Sequence, residues 1–378
     1  MLRKIISFFL TAVFFCVTHS IAFANDLPVF YAGFAFVGNA ADIQKNYHHT
    51  WVISNEKDRE GGLILEKVLR DKVIGATFGN IKLIIDQLGD LNKGEGISVA
   101  FAFYNETVAV EKICDKYKVV IDLGAQALFF DFNEKKIIGC YPIDFQLIDN
   151  LSCEPKETYI RNCIRDLFVS EKYKINIFNS FVDRLKQIEI NPKFSSSIQV
   201  TDVIIEDRAI AFLPQHLKSS PVNCKTYIAQ NFSKFLSNNQ GVSVLPYTKG
   251  AAIGNKMAAR FANGTVYNLK IPDPQYEIDL TLRGFKKVEG DSTNIESAWI
   301  YGAYINLKVF QPLLGKVYID EQFKNGSAKR VPACQSLADI DDWPAFQDSL
   351  FYLFDKLTKE FATEKKFKPV KKILERCK

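Results

Sequence analysis

Apolar and polar residues alternate through one long stretch of the first half, and this alternation limits what the chain can fold into. Between Tyr117 and Phe132 the apolar residues fall on every second position, while Asp122 and Gln126 occupy the other set. Because successive side chains of a strand point to opposite faces, the pattern predicts an antiparallel sheet with one buried and one solvated face. Turn-like pairs separate three further predicted strands, over residues 97–104, 107–114 and 136–148.

Segments in which apolar residues have helical spacing lie before and after this block of strands. Apolar residues recur three and four positions apart in segments that predict helices over residues 63–73, 81–88, 159–168 and 178–188. A serine-rich segment from Lys193 to Gln199 then predicts a connection between two halves. We therefore expect one domain over residues 25–195 and a second over residues 196–362.

The second half is predicted to run strand, helix, strand, helix, three strands, helix. Asp342 is the predicted N-cap of the last helix, and Pro344 lies in its first turn. This order is typical of an α+β fold with antiparallel or mixed sheets and helices packed on one face. The strands and helices of the first half follow a similar order, so a degenerate duplication is a second expectation. The segments of the second half are residues 200–213, 227–236, 242–245, 255–261, 276–282, 299–310, 316–323 and 346–361.

Two local patterns in this half resemble a known envelope module. They are the helix end Asn238–Gly241 followed by Val242–Pro246, and the strand–turn–strand from Tyr304–Phe310 to Gly315–Tyr318. Together they resemble the module of the curli-secretion lipoprotein, of the amino-terminal domain of the Tol-system propeller protein, and of the lipoproteins that activate penicillin-binding proteins. The resemblance covers residues 200–361 and implies an envelope protein. The chain departs from the module in its large first half and in lacking a lipidation cysteine.

The amino terminus has the order of a secretory signal. Arg3 and Lys4 precede an apolar run from Ile5 to Val17, and Ala22 and Ala24 supply the small residues of a cleavage site. The apolar run is shorter than the roughly 20 residues that span a bilayer. We expect a signal peptide over residues 1–24, cleavage after Ala24, and a periplasmic or secreted mature protein.

Composition favours a folded protein that does not bind nucleic acid. Hydrophobic residues make up 47% of the chain and aromatic residues 13%, which is enough for a buried core. Without Arg3 and Lys4, the 48 basic residues become 46, against 43 acidic ones. A nucleic-acid-binding protein normally carries a marked excess of positive charge, so this class is not expected.

Cysteine and histidine patterns give little indication of catalysis. Seven cysteines follow residue 24, and Cys153 with Cys163 is the preferred candidate disulfide; burial of several cysteines as small apolar residues is the alternative. No CxxC pair occurs, so redox catalysis and structural zinc are not predicted. The adjacent pair His48 and His49 is interpreted as a solvated loop, with the start of a metal site as the alternative. We predict no catalytic residue, metal ligand or cofactor.

The carboxyl terminus, residues 363–378, is predicted to be a basic amphipathic tail. Phe367, Val370 and Leu374 share one helical face. Such a tail can contact an anionic membrane or polymer, and a solvated terminal helix is the alternative. The basic residues of the candidate binding surface are Lys365, Lys366, Lys368, Lys371, Lys372 and Arg376.

Two functions remain open from the sequence. The first is an exported, non-enzymatic envelope protein that binds another protein or an assembly through the sheet edge and helix face of its second domain. The alternative is an exported enzyme or ligand-binding protein, for a glycan or a small molecule, with a carboxylate-based site between the halves. Paired carboxylates across a concave, aromatic-lined pocket would favour the alternative.

Overall fold

The computed structural model describes residues 27–38, 42–85, 96–190, 196–247, 256–261, 264–336 and 340–378, apart from the side chain of His216. Within these residues, two mixed sheets carry helices on their faces, which confirms the predicted α+β class. The predicted signal peptide lies outside the described residues.

The first half builds a sheet from a long antiparallel meander. Its elements are β1 Leu27–Val37, α1 Ile43–Asn46, α2 His48–Ser54, α3 Ile64–Ile74, β2 Ile81–Ile84, β3 Ile97–Ile113, β4 Lys116–Asp131, β5 Lys136–Leu151, α4 Glu157–Val169 and α5 Ile177–Gln187. β3, β4 and β5 pair antiparallel in sequence, while β1 lies parallel to both β2 and β3. The helices cover one face, where Phe34, Phe101 and Phe178 form part of a buried aromatic cluster.

The second half builds a second sheet. Its elements are β6 Ile198–Ile205, α6 Asp207–Ile210, α7 Gln215–Lys218, α8 Pro221–Gln240, β7 Val244–Leu245, β8 Lys256–Phe261, β9 Val266–Lys270, β10 Tyr276–Ser292, β11 Glu296–Gln311, β12 Lys316–Pro332, α9 Trp343–Thr363 and α10 Lys368–Leu374. The described strands are ordered β12-β11-β10-β6-β7, and α8 and α9 pack on one face. α8 ends at Gly241, whose φ of +67° is the left-handed conformation that glycine adopts without strain.

Five strands of the first sheet and the five described strands of the second share one topology. In the first half, β1 lies between the parallel strands β2 and β3, and β4 and β5 continue antiparallel. In the second half, β6 lies between the parallel strands β7 and β10, and β11 and β12 continue antiparallel. Helices follow the meander in both halves. This repeated order is what the predicted duplication requires.

Two strands of the second half complete the first sheet. β8 pairs antiparallel with the end of β1, and β9 pairs with β8 and meets the start of β5. The helix predicted over residues 255–261 is therefore wrong, because Met257, Ala259 and Phe261 alternate inward as strand residues do. The predicted domain division also needs correction, since residues 256–270 belong to the first sheet. The helix predicted over residues 81–88 begins as strand β2, and its last residues lie outside the described ranges.

β8 and β9 cover the face of the first sheet that is opposite its helices. Leu128, Phe130 and Met257 are buried there in a separate apolar cluster. Gln126, predicted to be on a solvated face, is only 7% exposed. The prediction of one wet face is wrong for the middle of β4, because chain segments distant in sequence lie on it.

A disulfide bond joins the two halves. Cys114 follows β3 and Cys334 follows β12, and their Cα atoms are 5.7 Å apart, within the normal range for a disulfide. The predicted disulfide between Cys153 and Cys163 is wrong, because both of these cysteines are free. Cys153 is exposed beyond the end of β5, whereas Cys163 lies on the buried face of α4, where the Tyr173 hydroxyl donates to its Sγ at 3.2 Å.

Candidate functional site at the junction of the halves

A cluster of polar groups lies where α8 of the second half covers β4 and β5 of the first. Asp144 on β5 accepts a hydrogen bond from the Tyr104 hydroxyl at 3.0 Å, and Lys234 Nζ on α8 lies 3.7 Å from the same oxygen. The Asp144 and Lys234 side chains are only 17% and 14% exposed. Asp122 on β4 lies diagonally across the strand register from Asp144. We call Tyr104, Asp122, Asp144 and Lys234 the junction cluster.

Local backbone features hold Tyr104 in this cluster. The pairing of β3 with β4 shifts register between Phe103 and Asn105, so that a bulge forms at Tyr104. The Tyr104 ring lies against Gly124 of β4, where a Cβ atom would approach the ring to 2.8 Å. Glycine is needed at residue 124 because any side chain would displace the ring. The Tyr47 hydroxyl also donates to the Tyr104 carbonyl at 3.0 Å.

Burial controls the protonation of the two carboxyl groups. Desolvation raises the pKa of Asp144 to about 6, opposed by the Lys234 charge and reinforced by Asp122. Desolvation also raises the pKa of Asp122, again opposed by Lys234. Asp144 Oδ2 is buried and has no hydrogen-bond partner among the described residues. The junction cluster can therefore hold a proton near neutral pH.

The space beside this cluster is small. A cavity of about 50 Å³ is lined by residues of both halves, including Tyr104, Gln126, Ser233 and Tyr247. A volume of this size accommodates ordered water that bridges polar groups, and it is too small for a sugar ring. The junction cluster therefore contains ionisable side chains of the kind that transfer protons in enzymes. The cavity beside it, however, is too small to hold a glycan.

A second, open site lies on the outer face of the second sheet. This acidic groove encloses about 390 Å³ between β6, β10 and the segment that links β9 to β10. The Thr201 hydroxyl lies 3.0 Å from Glu277 Oε2 and 3.2 Å from Asp279 Oδ1. Desolvation raises the pKa of Asp279, and the hydrogen bond to Thr201 opposes that shift. The carboxylates Asp202, Asp273, Glu277 and Asp279 share this groove, so its chemistry suits a cationic group.

The predicted basic tail is folded onto the second half. Phe367, Val370 and Leu374 are buried in the core that α9 and β12 share. Its six predicted basic residues Lys365, Lys366, Lys368, Lys371, Lys372 and Arg376 are exposed. The Arg376 guanidinium donates to the Tyr276 hydroxyl at 3.2 Å. The apolar face is therefore occupied by the protein itself, and only the charged groups remain to contact a membrane or polymer.

A further buried carboxyl group lies between α3 and β1. Glu66 Oε2 accepts the Phe34 N–H at 3.0 Å. Gly33, at φ +89°, makes room for this approach, because a Cβ atom there would overlap Glu66 Oε1. Desolvation raises the pKa of Glu66 to about 7, opposed by this hydrogen bond and by the charge of Arg70. Desolvation and, to a smaller extent, the charge of Glu66 raise the pKa of Tyr31, whose hydroxyl is also buried.

We expect Glu66→Gln to remove part of the pH dependence of stability. The folded-state pKa lies above the usual 4.5, so the proton stabilises the fold below pH 4.5, and that contribution is lost as the pH rises through 7. The wild type should lose up to about 3 kcal/mol from this group over that range. Urea unfolding at pH 4.5 and pH 8 should show a smaller difference for Glu66→Gln.

The matched control is Glu60→Gln, since the Glu60 side chain is 85% exposed. This variant should keep the wild-type dependence. Equal pH dependence in Glu66→Gln and the wild type would show that Glu66 does not titrate in this window.

Sequence reasoning missed the junction cluster and Glu66. Asp122 was recognised only as a residue of a solvated face, and Asp144, Lys234 and Glu66 had no motif around them. One local signal was available: Gly124 interrupts a run of larger residues in a predicted strand, which often marks close approach of another group.

Comparisons with known proteins identify no family. No family model matches the chain, and no curated protein matches it. Three similar solved structures are a Xanthomonas campestris protein of family DUF330, a neuraminyllactose-binding hemagglutinin homolog from Helicobacter pylori and a minor lipoprotein from Acinetobacter baumannii. Their sequence identities are 11%, 13% and 7%, and their TM-scores are 0.25, 0.25 and 0.21. The matches cover 46%, 49% and 46% of this chain, and 88%, 90% and 91% of those chains.

At these TM-scores the similarity carries no argument about function. None of the three is described as a curli-secretion, Tol-system or penicillin-binding-protein activator protein, so the resemblance of residues 200–361 to those families stays a prediction. In the part of the chain that the structure describes, none of the helices has the length and apolarity needed to cross a membrane.

Proposed function

We propose that the chain is an exported, non-enzymatic envelope protein that binds another protein along the edge of its second sheet. The partner contributes an extended segment that pairs with β12. Export rests on the predicted signal peptide, and binding rests on the difference between the edges of the two similar sheets.

The equivalent edge strands of the two halves differ in what covers them. β5 ends the meander of the first half, and β9 meets it where Lys136 pairs with Lys270. β12 ends the meander of the second half, runs for 17 residues and pairs only with β11 among the described strands. An edge strand of this length presents a row of N–H and C=O groups to an incoming strand. The proposal rests on this difference between the edge strands β5 and β12.

Apolar side chains lie at the turn where β12 begins. Leu313 is 92% exposed, Leu314 67% and Val317 51%. Exposed apolar residues beside a free edge can anchor one side chain of a partner segment while the backbones pair. Lys316, Asp320 and other charged residues along β12 oppose pairing between copies of this chain.

We expect a photo-crosslinking amino acid at position 314 to form an adduct with a specific envelope protein in living cells. The same amino acid at position 74 is the control, because Ile74 is also exposed, at 55%, but lies at the end of α3. Recovery of the partner should fall at least tenfold in the double variant Leu313→Asp/Leu314→Asp, because two charges would then occupy the apolar anchor. The variant Ile74→Asp should leave recovery unchanged.

Two outcomes would contradict this proposal. One is an adduct formed as abundantly from position 74 as from position 314, and the other is undiminished recovery in the Leu313→Asp/Leu314→Asp variant. Substitution of exposed residues avoids confusion with unfolding, and circular dichroism of the purified variants verifies this.

A ligand-binding protein is the second candidate, favoured by the acidic groove. The alternative function predicted from the sequence needs a carboxylate-based site between the halves. The carboxylates of the groove lie beside the segment that links β9 to β10, where the chain passes from the first sheet to the second. Phe310 is the aromatic residue in its lining. The variant Glu277→Gln/Asp279→Asn separates the candidates, because it removes groove charge without touching β12. Crosslinking from position 314 should survive it if the edge binds the partner.

A further inference from the structure

His48, His49 and Glu157 bring three potential metal ligands together. His48 and His49 open α2, and Glu157 opens α4, so the three residues come from two helices packed against each other. Their ligand atoms all lie within 4.8 Å of one another. His48 Nε2 is 3.1 Å from Glu157 Oε1. Tetrahedral zinc with bonds of about 2.0–2.1 Å needs ligand atoms about 3.3 Å apart, so small side-chain movements close the site.

One imidazole nitrogen of this group has no hydrogen-bond partner among the described residues. His49 Nδ1 is buried and makes no hydrogen bond to any described residue. Buried polar atoms are normally satisfied, so an unpaired imidazole nitrogen beside a second imidazole and a carboxylate points to a ligand.

The positive end of α2 does not oppose a cation here. Glu106 on β3 accepts the N–H of His49 at 2.9 Å and that of Thr50 at 2.7 Å. These bonds satisfy free amide donors at the start of the helix and place a negative charge there. The Glu106 carboxylate therefore offsets the positive end of the α2 dipole beside the two imidazoles.

Arg161 competes for the carboxylate. Its guanidinium donates to Glu157 Oε1 at 2.6 Å, one turn along α4. Glu157 has a second oxygen, and both groups are partly exposed, so the guanidinium can withdraw into solvent. A metal ion at this site must displace Arg161 from Glu157 or bind the other carboxylate oxygen. Substitution of Arg161 should therefore change the affinity for the metal.

We propose that His48, His49 and Glu157 bind a divalent transition metal ion, with Zn²⁺ as the best match. Two imidazoles and one carboxylate are ligands that Zn²⁺ accepts, and three protein ligands leave a fourth position for water or a ligand. The bound ion links α2 to α4. This site is independent of β12 and of the proposed partner.

The test is calorimetric titration of the metal-stripped full-length mature protein with Zn²⁺, in a Cys153→Ser background that removes the exposed thiol. We expect one ion per chain. Glu157→Gln and His49→Ala should each weaken binding at least tenfold. Arg161→Ala should tighten binding severalfold, because it removes the competing cation. His216→Ala should bind as the parent does.

Co²⁺ spectroscopy supplies a second readout. Co²⁺ bound by imidazole and carboxylate gives visible bands without the intense thiolate charge-transfer band of a cysteine site. Absence of stoichiometric Zn²⁺ binding would overturn the proposal, as would equal affinity in the parent, Glu157→Gln and Arg161→Ala. Glu157 is exposed and Arg161 is partly exposed, and circular dichroism of both variants verifies that they are folded.

Discussion

Replacing both Cys114 and Cys334 by serine is expected to lower the free energy of unfolding by about 4–5 kcal/mol at 25 °C. The bond closes a loop with a sequence separation of 220 residues, so its removal returns a large conformational entropy to the unfolded chain. It also releases the contact between the ends of β3 and β12. Only non-covalent contacts would then remain at this point among the described residues: Lys329 Nζ lies 3.3 Å from Glu111 Oε1, and the Gln335 side chain accepts the N–H of residue 114 at 2.9 Å.

Guanidinium unfolding with and without a reducing agent measures this effect. The wild type should lose stability on reduction, and the Cys114→Ser/Cys334→Ser variant should not respond to the reductant. Cys153→Ser is the matched control and should behave as the wild type, because its thiol is exposed and unpaired. A double-serine variant as stable as the oxidised wild type would show that the bond does not stabilise the fold.

Phe367→Ala is expected to cost about 3–5 kcal/mol. The Phe367 side chain is fully buried, and its ring centre lies 4.9 Å from that of Phe361 and 5.9 Å from that of Phe323. Removing the ring leaves a cavity between α9, α10 and β12. This large effect is unexpected for a tail that lies on a membrane and expected for a segment of the core.

The control for this variant is Lys368→Gln, which changes an exposed charge in the same segment. It should alter stability by no more than about 0.5 kcal/mol. Thermal and urea unfolding of the two purified variants provide the comparison. If Phe367→Ala unfolds at the wild-type midpoint, the carboxyl terminus is not part of the core and the membrane interpretation of its apolar face returns.

Long, regular patterns in the sequence predicted the main elements correctly. Alternation over residues 117–132 predicted β4, and helical spacing over residues 346–361 predicted most of α9. Each pattern extends over many residues, so the two-residue period of a strand and the 3.6-residue period of a helix are easily distinguished. Asp342, however, does not cap α9 with its side chain: its carboxylate accepts from Lys287 and from the Tyr301 hydroxyl.

Features that depend on distant segments could not be predicted in this way. Residues 256–261 are too few to distinguish a helix from a strand, and their pairing with β1 decides the outcome. Disulfide connectivity is not readable from cysteine spacing, which is why the Cys114–Cys334 bond was missed. The junction cluster has the same origin, because α8 covers Asp144 from almost a hundred residues away in sequence.

The strands β8 and β9 limit the order in which the chain can fold during synthesis from its amino terminus. The first sheet can pair β1, β3, β4 and β5 early, but its inner apolar surface stays uncovered until residue 270 has emerged. The first half therefore cannot complete its sheet without residues 256–270, and residues 25–195 expressed alone are expected to leave this apolar surface exposed and to aggregate. Late closure also gives a chaperone time to bind the apolar surface of the incomplete sheet.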